Sequence, residues 1–141
     1  MINDGLKLKG KLSIALNDEV VQEVDNLVVT AGKGYVASRM KDASATAMSH
    51  MAIGSGTTNP AASDTALETE LGRVALTSTS VSGAVVTYTA TFAAGTGTGA
   101  VTEAGILNAS SGGTMLCRTE FSVVNKGSAD SMTITWTVTV S

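Results

Sequence analysis

Met132-Thr133-Ile134-Thr135-Trp136-Thr137-Val138-Thr139-Val140 alternates an apolar residue with threonine along its whole length. Successive side chains of an extended chain point to opposite faces, so this run presents one apolar face and one hydroxyl face. Val86-Thr87-Tyr88-Thr89-Ala90-Thr91-Phe92 nearly repeats the pattern. Two such strands, each with a single face to bury, specify a sheet that packs a core on one side and meets water on the other. Trp136 shares its face with Ile134 and Val138, the expected core face.

Working outward, Leu6, Leu8, Leu12, Ile14 and Leu16 recur on even positions, with Lys7, Lys9 and Lys11 between them. This is a half-buried strand in which Gly10 marks a bulge or a close approach. The lysines suit an exposed sheet edge, which lysine commonly blunts, or an acidic partner surface. Asn17-Asp18 offers a turn, residues 20–24 a returning strand, and residues 27–30 a further one. Val36 and Met40, four apart, predict a short helix after Gly32-Lys33-Gly34 that ends near Asp42. Residues 47–53 predict a buried strand, and 54–60 a loop. Ser63-Asp64 caps a second short helix, with Leu67 and Leu71 stacked and Gly72 closing it. Residues 74–81, 85–93, 101–107 and 114–121 then read as strands separated by Gly-rich turns, with 125–130 as the last turn. The expected fold is all-β: one β-sandwich domain over residues 1–141, Ig-like or jelly-roll-like, with about eight or nine strands. Two short helical inserts fall between residues 33 and 73.

Hydrophobic residues make up 43%, enough for a real core, whereas charged residues are only 15%, below the usual quarter. A net charge of −3 argues against a nucleic-acid binder, which needs clustered Lys and Arg. No apolar run approaches the ~18 residues of a membrane span. The N-terminus lacks the basic and apolar regions of a secretory signal. Cys117 is the sole cysteine, which rules out an intrachain disulfide; it is expected as a small, half-buried strand residue.

Groups that carry chemistry are sparse. His50 is the only histidine, and a triad with Ser49 and Asp64 is disfavoured because neighbours on a strand point to opposite faces. One His and one Cys are too few for a zinc site. Gly54-x-Gly56 and Gly95-x-Gly97-x-Gly99 complete neither phosphate-loop pattern. Asp64, Glu68 and Glu70 are expected on the solvated face of the second helix. No pair of acids suggests a hydrolase, and aromatics at 4% offer no platform for carbohydrate. No catalytic, cofactor-binding or metal residue is assigned, and the chain is not expected to be an enzyme.

Four blocks carry a resemblance. They are Met51-Ala52-Ile53-Gly54-Ser55-Gly56-Thr57-Thr58, Asp64-Thr65-Ala66-Leu67-Glu68-Thr69-Glu70-Leu71-Gly72-Arg73, Thr102-Glu103-Ala104-Gly105-Ile106-Leu107-Asn108 and Ser111-Gly112-Gly113-Thr114-Met115-Leu116-Cys117-Arg118. In this order, with Tyr88–Phe92, Phe121 and the Thr-Val-rich last strand, the chain resembles a recurrent structural protein of tailed-bacteriophage virions. The resemblance implies a β module on the particle, most simply a capsid decoration or cement protein. It would bind major capsid protein subunits on the outer shell, as a trimer, and stabilise the head without contacting nucleic acid or membrane. It would be assembled in the bacterial host cytoplasm. Residues 1–12 are the segment expected to contact the capsid or add a strand to a neighbour. A tail, neck or fibre-base component, acting as adaptor or in host recognition, is the alternative the same resemblance allows.

Overall fold

The computed structural model describes residues 6–41 and 46–141, and the fold is all-β. Among the described residues it contains nine strands: β1 (Leu8–Leu16), β2 (Glu19–Val28), β3 (His50–Gly54), β4 (Glu70–Ala75), β5 (Ser78–Ser82), β6 (Val85–Phe92), β7 (Gly99–Leu107), β8 (Met115–Lys126) and β9 (Met132–Val140). One helix, α1 (Thr30–Lys41), joins β2 to β3. The strands form one curled antiparallel sheet in the order β4-β3-β7-β8-β2-β1-β9-β6-β5. The strands are joined as one continuous sheet, in which the β2–β8 ladder is short, pairing Leu27 with Arg118 and Val28 with Cys117.

The alternating runs behave as their pattern demands. β9 pairs with β6 over its whole length, Trp136 opposite Tyr88 and Ile134 opposite Ala90. Its other edge pairs with β1, Leu12 opposite Trp136. Those apolar faces enclose the core with Met51 and Ile53 of β3, Ile106 of β7 and Phe121 of β8. Asn17 and Asp18 both adopt positive φ, 50° and 68°, as a two-residue hairpin turn that matches strand twist requires.

Several boundaries differ from expectation for identifiable reasons. Residues 19–28 form a single strand because Asp25 and Asn26 stay in register with Lys11 and Gly10. The run 74–81 splits. Leu76 N–H donates to Ser49 O beside β3, and Thr77 N–H to Thr89 O of β6. The chain therefore crosses there from one edge of the sheet to the other, which closes the curl. The second helix is not formed: residues 61–69 are loop, and Gly72 lies inside β4, close against the backbone of Gly97. Asp64 spends its capping capacity on a turn, where its carboxylate accepts from Ala61 N–H.

The first strand is also placed differently. β1 is interior, with both edges occupied by β2 and β9 from Gly10 onward, so Gly10–Leu12 has no free edge to offer a neighbour, while Leu8 and Lys9 pair with β9. Residues 1–5 of the expected arm lie outside the described residues, as does Asp42. Lys7, Lys9 and Lys11 therefore do not blunt an edge; they stand on the sheet's exposed side, Lys11 Nζ 3.7 Å from Glu23. α1 starts earlier than expected and holds both glycines. At Gly32 a Cβ would fall 2.1 Å from the carbonyl oxygen of Leu116, so glycine is what lets the helix seat on β8.

A candidate site under the strap

β7 is buried on both faces from Val101 to Leu107. Its inner face meets the core. Its outer face is covered by the loop between β3 and β4, a strap of residues 55–69. Leu67 of this strap packs with Val29, Ala52, Leu107 and Met115 in a second apolar cluster. Under the same strap lie two charged side chains, Glu103 of β7 (0% exposed) and Arg118 of β8 (2%).

Glu103 is the acceptor that organises the strap. One carboxylate oxygen receives the N–H groups of Gly56 and Thr69, both at 2.8 Å, and the other receives Glu68 N–H at 2.9 Å. The Glu68 and Thr69 amides would have served a helix ladder had one formed; the buried carboxylate takes that place. Arg118 donates Nε and Nη2 to Glu103, Nη1 to Asp64 Oδ2 at 3.0 Å, and Nη2 again to Thr58 O. Gly54 and Gly56 permit the close approach, since a Cβ on Gly56 would lie 2.4 Å from the Glu103 carboxylate. Glu68 in turn accepts from Thr57 N–H and the Thr58 hydroxyl. Arg73 pairs with Glu70 at 2.7 Å and clamps the β7–β8 tip through Ala109 O and Gly112 O.

Burial is the largest single influence on Glu103 and by itself would raise its pKa. The N–H bonds from Thr69, Glu68 and Gly56, with the Arg118 guanidinium, act the other way and prevail, so the carboxyl titrates below its usual value. A group with a depressed folded pKa contributes stability that is fully present above its unfolded value, about 4.3, and is lost as pH falls through the folded value. Stability should therefore hold from neutrality to about pH 5 and fall below about pH 4. In Glu103→Gln this part of the slope should vanish. Urea unfolding followed between these pH values checks it; equal slopes in both proteins would exclude Glu103 as the titrating group.

Each residue weighed from sequence now has a place. Asp64, Glu68 and Glu70 are not a solvated helix face; all three hold the strap or its exit. Ser49 precedes β3 and is not opposed to His50 across a strand, and its hydroxyl lies 2.7 Å from His50 Nδ1. Among the described residues no carboxylate hydrogen-bonds the His50 ring, and no group of three His, Cys, Asp or Glu side chains could hold a metal ion. No helix of the described residues is long and apolar enough to cross a membrane. Cys117 is fully buried in the core, more deeply than expected, and burial pushes its thiol well above the usual range. A thiol reagent such as DTNB should leave Cys117 untouched in the native protein and react at once in denaturant; fast native labelling would contradict its burial.

Sequence reasoning missed Glu103 and Arg118 as a pair. The signal available was a lone charge in each of two runs of small or apolar residues, Thr102–Leu107 and Met115–Thr119. Chemically the arrangement is a closed one, with Glu103 accepting five hydrogen bonds and Arg118 donating to three partners. A shallow pocket of about 210 Å³ opens beside it, lined by Thr58, Asp64, Ala66, Glu68 and Arg118. Comparison with protein-family models, curated proteins and solved structures finds no match.

Proposed function

We propose that the chain is a structural protein of a bacteriophage particle, a decoration or cement module on the outer capsid surface. One observation carries this reading. The four sequence blocks that resemble phage virion modules, far apart in the chain, converge on a single internal device. Gly54 and Gly56 come from the first, Asp64, Glu68 and Thr69 from the second, Glu103 from the third and Arg118 from the fourth. Their shared purpose is to pin a strap to a sheet, which supports a scaffold role for the resemblance. In this reading the curled sheet works as a sandwich-like body, β2-β1-β9-β6-β5 facing β8-β7-β3-β4. The partner is the major capsid protein and the assembly is a trimer. A ligand that binds only the assembled shell stabilises it by mass action, which is what a head under internal pressure requires.

The test is to add the purified chain to heads assembled without it and count bound copies by quantitative mass spectrometry. Saturable binding of on the order of hundreds of copies, with heads surviving higher temperature, is expected of a symmetric shell. About a dozen copies, confined to the tail or neck, would replace this with the tail-associated alternative. No binding to either would overturn both.

A further inference from the structure

The ends of β1, β9 and β6 meet at Leu8↔Val140 and Val85↔Thr139. α1 lies beside this end of the sheet and leaves a cleft between them. Its outer part, about 450 Å³, has Leu6, Leu8, Val36 and Val140 as apolar walls. A contiguous inner part, about 210 Å³, shares Leu8, Val36 and Val140 and reaches Tyr88 and Leu116 of the core. Leu6 at the lip is 73% exposed, and Met40, one helical turn beyond Val36, is 79% exposed. A concave apolar surface continuous with exposed apolar side chains is the anatomy of an interaction site.

The charges decide what it would receive. Every charged residue lining either part is cationic: Lys7, Lys9, Lys33 and Arg39. This occurs in a chain with twelve acidic and nine basic residues. Lys7, Lys9 and Lys33 are exposed and form no salt bridge among the described residues. A second copy docked face to face would set these lysines against their own images, a like-charge arrangement that opposes association. Carboxylates on a different protein would be attracted instead.

We propose that this cleft is the docking site for an acidic segment of a partner protein. The segment's bulky apolar side chain sits between Val36 and Val140, and its carboxylates face Lys7, Lys9 and Lys33. The identity of the partner, the major capsid protein, rests on the function proposed above; the chemistry of the segment rests on the cleft alone.

Two measurements test it separately. In the first, the triple variant Lys7→Glu/Lys9→Glu/Lys33→Glu is compared with the unmodified chain on heads, with Val81→Lys on the edge strand β5 as control. The triple variant should bind about tenfold more weakly or worse, with the control unchanged and all three melting alike. Undiminished binding would overturn the cleft and leave the shell reading standing. In the second, a synthetic peptide DLFDE and its counterpart KLFKK are titrated while the methyl signals of Leu8, Val36 and Val140 are followed. Saturable shifts with DLFDE only, abolished in the triple variant, support the cleft even if heads are not bound. No shift, or equal shifts with KLFKK, would overturn it. So would a concentration-dependent dimer that the triple variant cannot form, because the occupant would then be a second copy.

Discussion

Arg118→Met is expected to lower the melting temperature by about 10 °C or more. The substitution keeps an unbranched stem but removes the only cation that contacts Glu103 among the described residues. Glu103 is wholly inaccessible, so its charge would stay buried with three N–H donors and no counter-ion. Breaking one partner of a buried pair costs about 3–5 kcal/mol, a large share of the 5–15 kcal/mol that holds a typical domain. The damage should begin at the strap. Amide exchange at Gly56, Glu68 and Thr69 should quicken before exchange in β9 does. The double variant Glu103→Gln/Arg118→Met distinguishes charge from packing. A glutamine oxygen can still accept from the Gly56 and Thr69 amides, at the cost of the Glu68 bond, and carries no charge to strand, so the double variant should melt above Arg118→Met alone. If the two melt together, the stranded charge is not what destabilises the single variant.

Trp136→Ala should have an effect of similar size, about 3–5 kcal/mol. Trp136 is wholly buried in β9, opposite Leu12 of β1 and Tyr88 of β6, so truncation opens a cavity where three strands meet. Its Nε1–H also donates to Asn26 Oδ1 at 2.7 Å. Asn26 Nδ2 is buried without a partner among the described residues, so the indole is what makes this asparagine tolerable there. Trp136→Phe, which retains most of the apolar area, should still cost about 1–3 kcal/mol by orphaning that oxygen. Gly10 belongs to the same arrangement, since a Cβ there would overlap the Asn26 side chain. Urea unfolding must be followed by circular dichroism, as the sole tryptophan is lost. A cost below about 1 kcal/mol for Trp136→Ala would be incompatible with a packed indole.

The parts of the fold legible in the sequence are those whose cause is local. Met132–Val140 and Val85–Phe92 alternate because each strand has one wet face, and that period survives whatever the partners are. Asn17-Asp18 could be placed as a turn because both residues tolerate positive φ. The same reasoning failed where two local solutions were nearly equal. Ser63-Asp64 with Leu67 and Leu71 satisfies the rules for a short helix, yet so short a helix is marginal without docking. A buried acceptor, Glu103, outbid the ladder for the amides of Glu68 and Thr69. Residues 74–81 have the composition of one strand, and nothing in their order says that Leu76 and Thr77 would serve opposite edges of a sheet. The Ser49–His50 contact was missed because the strand begins at His50, three residues later than its pattern suggests.

By itself, then, the order of residues determined that the chain is β-rich, which faces of its last strands are apolar, and that its charges are few. The burial of Glu103 and Arg118, the strap they hold and the lysine-rimmed cleft beside α1 were decided only by tertiary structure. The physical reason is range. Side-chain alternation is a property of neighbours in the chain, whereas a buried ion pair or a cleft exists only when segments 15 to 54 residues apart are brought together, as Arg118 is with Glu103 and Asp64.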